Sequence, residues 1–299
     1  MDSAENKPVP EVPGVELTSA HGLPCVRVTR PEASGLVFLQ GAHVAEWVPA
    51  GAEPVIWMSE KALYQSGKAL RGGVPICFPW FGAHATEKAF PAHGFARTME
   101  FQYLGARLTR DQNAELEFVL QDDSSTQALF PHAFAARLRV TFGATLELAF
   151  SVENHGAVPF TFEEALHSYF HVADVRNIGV QGLGGAPFLD KVRGMAEFTQ
   201  TEDELSFSGE TDRVYRSAAT CVIRDPGRAR RVRIEKTHSE ATVVWNPWAE
   251  RAAQMADFGA DAWPGMVCVE SANVGATRIQ LAPMATHTLT VRVALEPLG

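Results

Sequence analysis

The sequence predicts an all-β protein built as a large antiparallel sandwich. Three observations carry that reading. Short runs alternate apolar and polar residues at period two; Gly, Pro, Asp and Asn break them up; and helical periodicity is scarce. Many short strands separated by turn residues favour a sandwich or barrel.

Residues 1–13 are rich in Pro and charge and read as a flexible lead-in. That leaves 14–299 as one β-sandwich domain, with no repeat and no internal linker. The clearest strands fall at Gly35–Leu39, Glu115–Leu120, Leu146–Val152, Arg231–Ile234 and Thr288–Val293. Two short helices are expected. Ser59–Tyr64 has Ser59 as a cap and its acid early, where the helix dipole favours it. Trp248–Met255 is the second.

The 299 residues are 46% hydrophobic and 20% charged, enough to bury a sizeable core without disulfide or metal staples. Cys25, Cys77, Cys221 and Cys268 are far apart, form no CxxC pair and sit in apolar contexts. They read as buried free thiols of a reducing compartment. The acidic amino terminus lacks a secretion signal, and no run approaches the roughly 20 apolar residues of a membrane span, so a cytoplasmic protein is expected. A net charge of −9 argues against a nucleic-acid partner. A phosphate ligand would then need a local cluster of Arg or Lys.

Four segments depart from plain sandwich patterning. Gly67–Gly82 sets Lys68 and Arg71 beside a double glycine and then a Pro and aromatic run that includes Trp80. Glycines admit close backbone approach, and Arg71 offers a planar donor fork suited to phosphate, although a solvated turn would use the same residues. In Pro91–Arg97, an extended chain would put His93, Phe95 and Arg97 on one face; a lone structural histidine is the plainer alternative. Read as one strand, Phe160–His171 has a face carrying Thr161, Glu163, Ala165, His167, Tyr169 and His171. That polar and aromatic face suits a sugar surface better than a core. His167 and His171 have metal-pair spacing, but the alternation favours a strand over a zinc-binding helix. Gly265–Val274 places Glu270 inside an otherwise apolar strand, which is costly unless the acid is paired or functional. Asp212 is a weaker signal that a turn would also explain.

The order and length of several motifs identify a family. Arg71-Gly72-Gly73-Val74-Pro75, His93-Gly94-Phe95-Ala96-Arg97, Glu164-Ala165-Leu166-His167-Ser168-Tyr169-Phe170, Thr211-Asp212-Arg213-Val214-Tyr215, Val244-Trp245-Asn246-Pro247-Trp248 and Cys268-Val269-Glu270-Ser271-Ala272-Asn273-Val274 resemble the hexose-6-phosphate mutarotases. These are also called glucose-6-phosphate 1-epimerases, within the aldose 1-epimerase superfamily. The resemblance runs from Gly41-Ala42-His43-Val44 past the Glu270 strand. It implies a galactose mutarotase-like β-supersandwich with its site on a concave sheet face, and an isomerase acting on a small sugar phosphate. The sequence carries no signal of oligomeric state, and a monomer is the default expectation. By resemblance His167 is the general acid and Glu270 the general base. Arg71 and Arg97 bind substrate, with phosphate contact their role; His93 lies near the ring oxygen, and Asp212 contacts a sugar hydroxyl. Lys68 and Trp80 are further candidates for substrate contact. Some members carry Gln where this chain has Ala92.

The implied chemistry needs no metal, nucleotide or covalent intermediate. A base takes the C1 hydroxyl proton, an acid protonates the ring oxygen, and the ring opens, rotates about C1–C2 and recloses. The expectation is that His167 and Glu270, from distant strands, reach opposite sides of the hemiacetal. Three rivals remain: a mutarotase of unphosphorylated aldoses, a non-catalytic sugar-binding module, and a metalloenzyme using His93, His167 and Glu270.

Overall fold

The computed structural model describes residues 12–298. The expected lead-in therefore falls mostly outside the described residues. Its last two residues already belong to the fold: Val12 is buried, and Arg30 donates to the Pro13 carbonyl at 3.0 Å.

Two large antiparallel sheets share one core. The nine-stranded sheet runs in the order Glu204–Leu205, Gly179–Gln181, Cys221–Asp225, Arg230–Thr237, Thr286–Pro297, Thr145–Asn154, Phe134–Phe142, Ala114–Gln121 and Gln102–Leu108. The eight-stranded sheet runs Ala196–Thr199, Pro187–Asp190, Thr211–Arg216, Ala241–Asn246, Met266–Asn273, Glu164–Leu166 and Ile76–Cys77. Its eighth strand, Tyr169–His171, also pairs with Met266–Asn273. A four-stranded sheet spans Val15–Pro49, and Phe160–Phe162 pairs with Ile279–Leu281.

Period-two alternation is what lets these strands stack. Leu116 and Phe118 enter the core while Glu115 and Glu117 face outward; Leu146, Leu148, Phe150 and Val152 do the same on the next-but-one strand. Phe78, directly after the strand Ile76–Cys77, packs edge-to-face with Phe130, Phe134, Phe150 and Phe162, tying the nine-stranded sheet and the Phe160–Phe162 strand to one aromatic node. Each such pair adds about 0.5–1.5 kcal/mol beyond its buried area.

The strand Met266–Asn273 is buried along its whole length. Val267 and Val269 point into the main core, whereas Met266, Cys268 and Ala272 point to the sheet's other face. Burial on both faces explains its almost continuous apolar sequence. Glu270 shares the second face by the same alternation.

Trp248–Ala253 is helical, as expected. Ser59–Tyr64 is not. The Ser59 hydroxyl donates to the carbonyls of Asp257 and Phe258, both at 2.8 Å, and accepts from the Lys61 N–H at 3.0 Å, so it ties a turn to a distant loop. The chain also forms a short helix at Ser124–Gln127, capped by Asp123.

Candidate active site

The register between strands sets the site. Met266–Asn273 pairs Asn273, Ala272 and Ser271 with Glu164, Ala165 and Leu166, and then Cys268 with Tyr169. The same register runs through the break between those two partner strands. His167 therefore stands opposite Glu270, and Ser168 opposite Val269. The Val269 N–H donates to the Ser168 carbonyl at 3.3 Å. That makes the neighbouring His167/Glu270 pair a non-hydrogen-bonded position, where cross-strand side chains come closest. The break itself is anchored from the other side: the His167 N–H donates to Pro75 and the Tyr169 N–H to Gly73.

Nε2 of His167 lies 3.3 Å from Oε1 of Glu270. His167 is 8% exposed and Glu270 1%. Oε2 of Glu270 and Nδ1 of His167 are buried without a hydrogen-bond partner. Burial, followed by the Asp212 carboxylate, pushes the Glu270 carboxyl well above its ordinary value. Burial, followed by His93, Arg97 and Arg71, pushes the His167 imidazole well below its own. Both neutral forms are thus favoured by desolvation, while mutual attraction favours the charged pair. Such a pair holds one proton that either partner can carry.

His167 is fixed by aromatic neighbours. Tyr169 stacks on it at 4.8 Å between centroids and 12° between planes. Trp245 meets it edge-on at 6.1 Å. The Tyr169 hydroxyl accepts from Nη1 of Arg71 at 3.1 Å, and Asp257 holds the other side of that guanidinium at 3.2 Å. Arg71 is therefore anchored beside the imidazole.

His93 sits edge-on to His167 at 5.8 Å. Its Nδ1 accepts from the Gly82 N–H at 3.4 Å, which assigns the ring proton to Nε2. Burial and then Arg97, Lys191 and Arg71 lower its pKa to about 3, so His93 is a neutral donor. Arg97 gives Nη2 to the Ala92 carbonyl at 2.7 Å, while its Nε is buried without a partner. Asp212 lies opposite Trp245 in register and pairs with Lys191 at 2.8 Å. Burial raises the Asp212 pKa, and Lys191 opposes the rise.

A cavity of about 630 Å³ gathers these groups. Arg71, His93, Arg97, His167, Asp212 and Glu270 all line it. Lys68 and Trp80 do not. Lys68 is an exposed loop residue whose carbonyl accepts from Gln40. Trp80 is buried, donates Nε1 to the Pro91 carbonyl at 2.9 Å and stacks on Phe90. Lys191 and Arg251 line the cavity without any sequence signal of their own, and Trp245, marked only as part of a family motif, joins them. Lys191 directly follows a strand, and Arg251 lies in the expected helix; their convergence depends on tertiary pairing. Among the described residues Arg97 and Arg251 make no ion pair, which leaves two cavity cations available to an anion.

Two sequence readings change. The double glycine, expected to admit a ligand, is packed against the protein's own chain, as is Gly94. Gly73 and Gly94 have φ of 68° and 71°, and a side chain there would collide with His43 and Val44 or with the Phe78 carbonyl. His167 and Glu270 share one sheet face side by side, so they do not stand on opposite sides of a sugar. O1 and O5 of a pyranose are bonded to the same carbon, so adjacent groups can serve both. One set of metal-ligating types also converges here, and it replaces His93 with a thiol: donors of His167, Cys268 and Glu270 lie within 4.8 Å of one another.

Comparison with known proteins agrees with this architecture. The model of the family "Aldose 1-epimerase" matches residues 24–294. A Salmonella typhimurium protein named "Putative glucose-6-phosphate 1-epimerase" is 39% identical over 250 residues, 83% of each chain. The crystal structure of YeaD from Salmonella typhimurium, described as a "putative mutarotase", superimposes with a TM-score of 0.89 at 34% identity over 97% of each chain. A galactose mutarotase related enzyme from Lactobacillus acidophilus, at 14% identity and a TM-score of 0.72 over 92% of this chain and 98% of its own, shares the fold. The fold is the galactose mutarotase-like sandwich, and the chain belongs to the aldose 1-epimerase family of sugar isomerases.

Proposed function

We propose that this protein interconverts the α and β anomers of a hexose 6-phosphate, D-glucose 6-phosphate foremost, with Glu270 as base and His167 as acid. The observation that carries the reading is the 3.3 Å His167–Glu270 contact in a cavity where Arg97 has an unpartnered buried Nε. The name borne by the 39% identical relative supports the same substrate. The four buried, unpaired cysteines suit a reducing, cytoplasmic setting.

The reaction starts from carboxylate and imidazolium. Glu270 takes the proton from O1, the O1 electrons form the carbonyl, the C1–O5 bond breaks towards O5, and His167 gives O5 its proton. The open-chain state then faces a neutral acid and a neutral imidazole, the forms that burial favours. Rotation about C1–C2 and reclosure reverse each transfer. The pair keeps one proton throughout, so turnover needs no exchange with bulk water. Each group contributes about 10²–10⁴-fold. The Nε2–H of His93 donates to the ring oxygen as charge develops there. Asp212 accepts from a sugar hydroxyl. Arg97, helped by Arg71, holds the phosphate; guanidinium forks match phosphate oxygens in geometry and charge.

The test is a substrate panel by polarimetry: glucose, galactose and mannose, each with and without the 6-phosphate. Higher kcat/KM on the phosphates supports the reading. Equal or better turnover of the free sugars identifies an aldose mutarotase instead, and no acceleration of either identifies a binding module.

A further inference from the structure

We propose that His167, Cys268 and Glu270 form a zinc site that shuts the anomerisation centre by competing with the sugar. Cys268 precedes Glu270 by two residues on one buried strand, so both side chains leave the same face of the sheet. In register Cys268 lies opposite Tyr169, and Glu270 opposite His167. One donor atom from each of His167, Cys268 and Glu270 lies within 4.8 Å of the other two.

A tetrahedral zinc ion with bonds of about 2.0–2.3 Å separates its donors by roughly 3.3–3.8 Å. The observed 3.3 Å between imidazole nitrogen and carboxylate oxygen already meets that spacing. The three donors, now within 4.8 Å of one another, must draw together by about 1 Å for one ion to bind all of them. A second observation points the same way: Oε2 of Glu270 is buried and has no partner, so the carboxylate has unused ligand capacity at the site.

Donor chemistry selects the ion. One nitrogen, one sulfur and one carboxylate oxygen suit a borderline-soft cation, whereas magnesium and calcium want oxygen alone. The thiolate and carboxylate together neutralise the dication, which removes the cost of a net charge in a buried site. The thiol proton leaves to the buffer as the metal binds. Three protein ligands leave a fourth position for water, and two of the three, His167 and Glu270, line the cavity. Zinc and sugar then both require His167 and Glu270 and exclude one another. Cys268 plays no part in the anomerisation chemistry, so it separates the two events.

The experiment is calorimetric titration of zinc chloride into the full-length protein previously treated with chelator, alongside inhibition by zinc at several sugar concentrations. One ion should bind per chain, inhibition should be competitive with sugar, and excess chelator should restore turnover. Cys268→Ala should anomerise like the wild type, yet lose zinc affinity by about tenfold or more. Cys268→Ser, which keeps the side-chain volume, gives the same readout should the alanine variant fold poorly. Unchanged zinc affinity in both variants, or no stoichiometric uptake by the wild type, overturns the proposal. Binding is read by heat, so its failure is distinct from a failure of the enzyme to anomerise sugar.

Discussion

His167 and Glu270 occupy a single cross-strand position, with Nε2 and Oε1 3.3 Å apart, although they are separated by most of the second half of the chain. Glu164↔Asn273 on one side of the break and Tyr169↔Cys268 on the other are in the same register, so sheet pairing alone aligns the two groups. A one-residue slip would send one of them to the opposite face. The geometry of the proposed acid–base pair is a consequence of strand register.

That register has its own fastening. Oε1 of Glu164 accepts from Asn273 Nδ2 at 2.8 Å and lies 2.7 Å from Nε2 of His287, on a strand of the facing sheet. Glu164 is fully buried. His287→Ala should leave the buried carboxyl short of a partner and cost roughly 3 kcal/mol, read as a lower midpoint in urea unfolding. His287→Gln, which keeps a donor, should recover part of the loss. An unchanged midpoint for the alanine variant contradicts this role.

The paired pKa shifts fix a pH profile. In the proposed mechanism, turnover needs the pair to hold one proton. Adding a second is resisted because burial lowers the His167 pKa, so the acid limb of kcat/KM should fall well below the ordinary histidine range. Losing the one proton is resisted because burial raises the Glu270 pKa, so the alkaline limb should lie well above the ordinary carboxylate range. A broad plateau through neutral pH is expected in chelated buffer. A sharp fall between pH values typical of free Glu and free His would contradict the shared proton.

Arg97 and Arg71 should separate in kinetics. Arg97 has an unpartnered Nε and no carboxylate partner among the described residues. Arg97→Ala should raise KM for glucose 6-phosphate about 10–100-fold, the loss of one charge-assisted contact of about 1.5–3 kcal/mol, and barely alter turnover of glucose. Arg71→Ala also frees Asp257 and Tyr169, so it should lower stability as well as phosphate preference. Equal loss on both sugars for Arg97→Ala would remove it from phosphate binding.

Much of this was legible in the sequence because strands write their pattern locally. The alternation at Glu115–Leu120 and Leu146–Val152 marked strands that the structure extends to Ala114–Gln121 and Thr145–Asn154. The buried acid Glu270 stood out against its apolar strand. The alternation over Phe160–His171 predicts one strand and assigns its two faces as the structure has them, but the strand breaks at Glu163 and at His167-Ser168. Those breaks come from hydrogen bonds to Pro79, Pro75 and Gly73, which local periodicity does not encode. Ser59 looked like a helix cap because its hydroxyl's partners, Asp257 and Phe258, are about 200 residues away in the chain. Lys191 and Arg251 reach the cavity only through long-range pairing, and no local signal marks them.

The most direct test is exchange NMR of equilibrated glucose 6-phosphate, measuring the rate of α to β transfer above the spontaneous background. Wild type should accelerate it, while His167→Asn and Glu270→Gln should each lose about 10²-fold or more with cooperative unfolding intact. Near-wild-type exchange in either variant would contradict the assignment of the acid and base.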